Sequence, residues 1–181
     1  MLDAGCGTGD LIFECGKRDR TPAARYLGAD LSLPMLREAQ GKVHPPSLFM
    51  QADCATLPLA TGSVSAVMSA FVLRNLRLVL DKSLQEMLRV LKPGGEAFLL
   101  EMTVPRSPWL KIPHRLYLEA VLPLIGRAVF GARWSRGYLA ETILKFWPPE
   151  EFTRMLLKAG FREAGYSTMT GGLAVLYHCK K

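Results

Sequence analysis

The sequence predicts one α/β domain built on an open, mostly parallel sheet with helices on both faces. Three observations predict it. Short apolar runs alternate with helix-period segments along the chain. A length of 181 residues, 49% apolar and 22% charged, suits a single core and leaves little room for a second. A glycine-rich loop stands between the first apolar run and the first helical segment, where such sheets bind ligands.

Each element follows from local chemistry. Met1 to Ala4 reads as the tail of a short, truncated first strand, and Asp10 to Lys17 as the helix behind it. Tyr26 to Asp30 reads as a second strand. Ser32 then caps a helix over Leu33 to Gly41, with Pro34 in its first turn, where a missing N–H costs nothing. Leu48 to Gln51 and Val64 to Ser69 are strands three and four. Lys82 to Leu91 places Leu84, Met87, Leu88 and Leu91 on one helical face, and Lys92-Pro93-Gly94-Gly95 is expected to stop that helix and turn the chain. A strand over Ala97 to Met102, helices over Leu110 to Phe130 and Tyr138 to Phe146, and a helical face of Phe152, Met155, Leu156 and Ala159 before Gly160 come next. Strands at Arg162 to Thr168 and Leu173 to Cys179 bring the total to seven. No internal repeat or linker interrupts residues 1–181, which read as one domain.

Composition narrows the function classes. The net charge of +7 is concentrated: Val104 to Tyr138 holds Arg106, Lys111, Arg115, Arg127, Arg133 and Arg136 against Glu119 alone. Such an excess suits nucleic acid, an anionic membrane surface or a solvated face, and no nucleic-acid motif supports the first. Cys6, Cys15, Cys54 and Cys179 form no Cys-x-x-Cys pair, so neither a zinc knuckle nor a secreted disulfide framework is expected, and no metal. A reducing, cytoplasmic setting follows. The apolar stretches around Val64 to Leu73 and Ala120 to Ile125 fall short of the roughly 18 residues needed to cross a bilayer.

The informative motif is Asp3-Ala4-Gly5-Cys6-Gly7-Thr8-Gly9-Asp10. Alternating glycines let backbone amides approach a ligand, and the helix start behind them favours an anionic group. The spacing is neither the Gly-x-Gly-x-x-Gly of dinucleotide folds nor a phosphate loop, so dehydrogenase and NTPase are poor readings. Asp30 ends the second strand 21 residues after Gly9, where a carboxylate can accept two ribose hydroxyls. Asp53 and Cys54 follow the third strand, where a base would lie. Alone, each aspartate reads more readily as a cap or turn residue; with the loop they form a nucleotide-like cofactor site.

These residues resemble the class I S-adenosylmethionine-dependent methyltransferases, whose Rossmann-like sheet has seven strands. The resemblance puts the methionine part of S-adenosylmethionine against Asp3, Gly5, Gly7, Thr8 and Gly9, its ribose on Asp30, and its adenine near Asp53 and Cys54, with Ala70 where a serine often touches the cofactor. Phe71-Val72-Leu73-Arg74-Asn75-Leu76, Tyr138-Leu139-Ala140-Glu141-Thr142-Ile143 and Thr170-Gly171-Gly172-Leu173-Ala174 further resemble the quinone-biosynthesis C-methyltransferases. That resemblance implies methylation of a ring carbon of a prenylated quinol, demethylmenaquinol or polyprenyl-methoxybenzoquinol, by alignment and charge handling. It puts Arg74 on the developing phenolate or on a water that takes the proton, Asn75 as its orienting partner, and Glu141 as the conventional base. Tyr117, Tyr138 and Phe71 would line the quinol pocket under a helical cap at about 104–147. His114 and His178 are weaker candidates.

In the cap, Trp109, Leu110, Ile112, Leu116, Val121, Leu122, Ile125, Val129, Phe130 and Trp134 interleave with the cations, which suits an apolar receiver for a polyprenyl tail and peripheral contact with the inner membrane face. The sequence departs from the family pattern at Cys6, Asp53, Ala70 and Val72, and it starts inside the first strand, which removes part of the lid over the cofactor. Two alternatives accompany the enzyme reading. One is methylation of another lipophilic phenol; the other is a truncated, non-catalytic homologue that binds quinone or assists assembly.

Overall fold

The computed structural model describes residues 1–18, 25–43, 47–130 and 137–181. Seven strands, β1 (Leu2–Ala4), β2 (Tyr26–Asp30), β3 (Ser47–Gln51), β4 (Val64–Ala70), β5 (Leu91–Met102), β6 (Glu163–Met169) and β7 (Ala174–Lys180), form one sheet in the order β3-β2-β1-β4-β5-β7-β6. All neighbours pair in parallel except those of β7, which is antiparallel to both β5 and β6. The strand order reverses beside β1, between β2 and β4, which is where open α/β sheets leave a crevice at their carboxyl edge.

Helices α1 (Asp10–Arg18), α2 (Leu33–Lys42), α3 (Leu80–Val90), α4 (Pro108–Leu116), α5 (Leu122–Phe130), α6 (Tyr138–Leu144) and α7 (Pro149–Ala159) complete the described elements. Successive residues of β4 show the two faces. Val67 packs into a core with Leu84 and Met87 of α3 and Phe152 and Leu156 of α7. Met68 packs with Ile12 of α1 and Leu36 of α2 on the other side. This alternation is the period of two that a pleated strand imposes. β1 is buried on both faces, with Leu2 and Ala4 fully covered and Asp3 2% exposed. Three residues therefore suffice to anchor the loop that follows.

Three expectations need correction. Lys92 to Gly95 do not break the chain between helix and strand: β5 already begins at Leu91, paired with Val64, and resumes at Glu96, opposite Ala66. The intervening residues bulge out of the ladder, and Gly95 lies so close to the Ser65 carbonyl that a Cβ would stand 3.0 Å from it. The helix expected over Leu110 to Phe130 is two α-helices joined by a wide turn at Tyr117–Val121, where Leu122 donates to the carbonyl five residues back at Tyr117. Pro123, which has no N–H and would crowd the carbonyl four residues earlier, accounts for the widening. The helix beginning at Tyr138 ends at Leu144, and Phe146 instead packs its ring against Phe152 in the core, with centroids 5.0 Å apart and the rings tilted by 42°.

The turn at Tyr117–Val121 packs on α6 through Leu118, which shares a small core with Ala140 and Ile143. The elements expected to form the cap are therefore in contact. Arg133, Trp134 and Arg136 lie outside the described residues. Among the described residues no helix is long and apolar enough to cross a membrane.

Candidate functional site

The glycine loop leaves β1 at the sheet's carboxyl edge. Gly5 and Cys6 both donate their amides to the Ala29 carbonyl, at 2.7 and 3.0 Å, which folds the loop over the end of β2. Gly5, Gly7 and Gly9 all have positive φ, near 78°, 53° and 75°, a region that costs other residues strain. Gly5 is also required by contact: a Cβ there would meet the Val72 side chain at 2.5 Å. Val72 thus packs directly on the loop and joins it to the turn after β4.

Asp30 faces this loop. Its carboxylate accepts the Gly7 amide at 2.8 Å through Oδ2 and the Ser32 amide at 2.8 Å through Oδ1. Each carboxylate oxygen keeps a further lone pair for a hydroxyl donor. Asp3 is different. Its Oδ2 is buried with no hydrogen-bond partner among the described residues, and burial, then the neighbouring Asp30 charge, pushes its carboxyl up to about 7. An unpartnered buried carboxyl beside a second carboxylate is a place prepared for positive charge. Thr8 donates to Asp10 at 2.6 Å, and Asp10 also pairs with Lys42, so Thr8 serves the start of α1.

The third edge of the site comes from the segment after β3. Asp53 closes a turn by accepting the Ala55 amide at 2.8 Å. Cys54 is buried, and its thiol is pushed up to about 12 by burial and by the Asp53 charge. Cys6 reaches about 12 in the same way, through burial and Asp3, so both thiols stay protonated and unreactive. Leu31 and Met35 are 68% and 48% exposed beyond the end of β2, with the Met35 sulfur 3.9 Å from a Cβ built on Gly7. Sequence reasoning missed both. Their signal was a large apolar side chain directly after the aspartate that ends β2 and a second one in the first turn of the following helix.

The turn after β4 carries the remaining candidates. Ala70 ends β4 opposite Leu100, and its neighbour Ser69 is committed to the Ala4 carbonyl at 2.7 Å. Phe71 is half-exposed in a left-handed conformation, with φ near 61°, the strained geometry that fixes side chains at sites. Asn75 accepts a hydrogen bond from the Tyr138 hydroxyl at 3.0 Å, across 63 residues of sequence. The two segments that carried the finer resemblance therefore meet.

Two of the residues given roles by the resemblance have partners of their own in the structure. Arg74 does not present its guanidinium to the crevice: its side chain is only 11% exposed and is paired at 2.7 Å with Glu101 of β5, which is fully buried. Glu101 also accepts the backbone amides of Arg74 and Met102, and Arg74 donates to the Phe71 carbonyl. The pair pins the turn to the sheet. Glu101 was missed, although an acid inside the otherwise apolar run Ala97 to Met102 marked it. Glu141 is exposed and accepts a hydrogen bond from Lys145 at 2.6 Å, and that partner holds its carboxyl below the usual range, which makes it a weak proton acceptor. Tyr117 lies on the wide turn, 44% exposed. His178 sits on β7 against Glu96 and Phe98, and His114 on α4, both away from the loop elements.

The comparisons fit this geometry. The C-methyltransferase of ubiquinone and menaquinone biosynthesis, UbiE, from Syntrophotalea carbinolica is 38% identical over 180 residues, covering 98% of this chain and 74% of that protein. The demethylmenaquinone methyltransferase of Thermus thermophilus is 36% identical over 180 residues, covering 98% and 80%. A SAM-dependent methyltransferase structure from Aquifex aeolicus superposes with a TM-score of 0.70 at 17% identity over 99% of this chain and 80% of that one, which places the fold. The model of the ubiE/COQ5 methyltransferase family matches residues 1–181, and the chain belongs to that family.

Proposed function

We propose that this methyltransferase uses S-adenosylmethionine to methylate a ring carbon of a prenylated quinol, of the demethylmenaquinol or polyprenyl-methoxybenzoquinol type. The observation that carries the reading is the Tyr138–Asn75 hydrogen bond, which joins the helical cap to a turn that itself packs, through Val72, on the glycine loop. The names of the relatives from Syntrophotalea and Thermus support the substrate class.

The residues present suit the cofactor. It carries no phosphate and two positive charges on its methionine half, and the unpartnered Asp3 carboxyl beside Asp30 is chemistry for a cation. When bound, it supplies an electrophilic methyl group on a sulfonium. Asp30 would take the ribose hydroxyls on its remaining lone pairs, and Leu31, Met35, Asp53 and Cys54 would border the base. Phe71 would offer a ring face to the quinol. Tyr138 spends its proton on Asn75, which leaves its oxygen to accept a hydrogen bond from a substrate hydroxyl as that group becomes acidic. Arg74 acts at one remove: with Glu101 it fixes the turn that sets Phe71 and Asn75. The buried thiols of Cys6, Cys54 and Cys179 suit a cytoplasmic enzyme.

The test is calorimetric titration with S-adenosylmethionine, followed by mass-spectrometric detection of methylated quinol in detergent, with both ring types offered. Low-micromolar binding that Asp30→Ala removes, with turnover on either quinol, is the expected result. Absence of binding by a folded chain would leave the non-catalytic homologue, and turnover only on another lipophilic phenol would change the substrate class.

A further inference from the structure

Three side chains of the short turn after β4 reach three different places. Arg74 goes to Glu101 in the sheet. Asn75 takes the Tyr138 hydroxyl at the start of α6. Arg77 reaches the other end of that helix: its guanidinium donates to the Lys145 carbonyl and lies over the Trp147 ring, 4.5 Å from the centroid. The proposed chemistry gives Arg77 no part.

The local sequence explains why α6 needs such a contact. It is seven residues long, too short to hold its shape alone in water. The residues it buries are Ala140 and Ile143, which share a small core with Leu118. Apolar contact is non-directional, so it holds the helix down without fixing how it turns or slides. The ends are poorly served by their own neighbours. Gly137, at the start, has no side chain to cap with. At the far end, the amides that close a helix onto the Lys145 carbonyl would come from three and four residues on, where Pro148 and Pro149 have no N–H. Arg77 supplies the missing donor from 68 residues away, with the positive charge that a helix C-terminus favours. Trp147 sets the plane of the guanidinium and itself packs against Phe146 and Phe152, which ties the contact to the core.

We propose that Arg77 is a positioning residue for the methyl transfer: it clamps the C-terminal end of α6 to the turn after β4 and thereby aims the Tyr138 hydroxyl at the other end. The inference rests on the proposed function for what Tyr138 meets, and on the contacts alone for the clamp. The action is indirect. With both ends of α6 tied to one turn, the helix keeps a single orientation over Phe71 and Asn75. With the Lys145 end released, the Tyr138–Asn75 hydrogen bond becomes a pivot, and the oxygen that accepts the substrate's hydrogen bond loses its aim. A displacement of about 1 Å is enough to slow a positioned reaction severely. Arg77 is exposed, so the clamp adds little to the stability of the whole fold, and its loss falls on α6.

The test compares Arg77→Ala and Arg77→Lys with the unaltered full chain by amide hydrogen exchange, calorimetric titration with S-adenosylmethionine, and turnover of dispersed quinol. Arg77→Ala is expected to speed exchange in α6 about tenfold while exchange in the sheet and the melting temperature stay unchanged. Cofactor affinity should stay within about twofold and kcat/KM for the quinol should fall about tenfold. Arg77→Lys can donate to the carbonyl but cannot lie flat on Trp147, so it should recover part of both losses. Since Arg77 acts through Tyr138, adding Arg77→Ala to Tyr138→Phe should lower turnover by less than about twofold more. Unchanged exchange in α6 would overturn the clamp, and fully additive losses would overturn its action through Tyr138. Loss of cofactor affinity together with a lower melting temperature would make Arg77 a support of the whole domain and overturn the proposal. The outcome is separable from that of the function: an unaltered chain that methylates no quinol sinks the function while exchange still decides the clamp, and quinol turnover indifferent to Arg77→Ala sinks this inference alone.

Discussion

Asp3→Asn is expected to stabilise the free protein at alkaline pH and to weaken its cofactor site. The Asp3 carboxyl is 2% exposed, its Oδ2 has no partner among the described residues, and its pKa rises from 3.8 to about 7 under burial and the Asp30 charge. The folded chain therefore holds a proton that the unfolded chain gives up near pH 4. Stability is highest below the unfolded value, falls as pH rises, and reaches its full loss above about 7. At about 1.4 kcal/mol for each pH unit separating the two states, holding the ionised carboxylate costs on the order of 4 kcal/mol at pH 8. Asparagine has nearly the shape of the neutral acid and removes that cost. Melting followed by calorimetry at pH 4.5 and pH 8 should show little difference at the first and a rise of roughly 10 °C for the variant at the second, since about 1 kcal/mol moves a domain of this size by 2–4 °C. The same variant should bind S-adenosylmethionine more weakly, and wild-type binding near pH 7 should release a proton, visible as a binding enthalpy that changes with buffer. A variant no more stable than wild type at pH 8 would show that the carboxylate is already satisfied and would refute the argument.

Four further outcomes follow from the site. Arg74→Ala leaves the Glu101 charge buried and uncompensated and should cost about 3–5 kcal/mol in urea denaturation, with the Arg74→Ala, Glu101→Gln double variant recovering part of the loss; additive losses would mean that the two side chains do not act as a pair. Gly5→Ala forces a side chain against Val72 at positive φ, so loss of cofactor affinity is expected, partly restored by adding Val72→Gly; no rescue would place the strain elsewhere. Tyr138→Phe should reduce turnover at least tenfold while leaving calorimetric cofactor affinity within twofold, as the loss is on the substrate side. Glu141→Gln, which removes a solvent-exposed partner of Lys145, should lower turnover less than Tyr138→Phe does, and the reverse order would restore Glu141 as the base.

The sheet was legible because its strands are short apolar runs set apart by loops and helices, and the observed bounds of β2 are those read from Tyr26 to Asp30. The glycine loop and Asp30 were legible because positive φ and close backbone contact restrict residue type so strongly that the requirement is written into the sequence. Elements whose shape depends on a partner were less so. Lys92 to Gly95 carries every local sign of a chain break, yet Leu91 already pairs with Val64 across the sheet, and no local signal reports a partner 27 residues away. The wide turn at Tyr117–Val121 is a compromise between continuing a helix and accommodating Pro123, and pattern alone records only the helix.

The same reasoning explains why the partner of Arg74 was not legible in the sequence. A lone arginine beside an asparagine after a strand looks available to a ligand, because sequence shows the charge and not the direction of the side chain. Its partner Glu101 lies on a neighbouring strand, where alternation puts it on a buried face, and an ionised acid is retained at such a position only when paired. The two anomalies, a cation at a crevice and an acid in a core strand, cancel each other. Together they hold the turn, and the proposed function gives the polar contact with substrate to the neutral Tyr138–Asn75 pair. That division suits methyl transfer from a sulfonium, where a free guanidinium facing the transferred group would oppose the positive charge that the proposed function sets beside the Asp3 and Asp30 carboxyls.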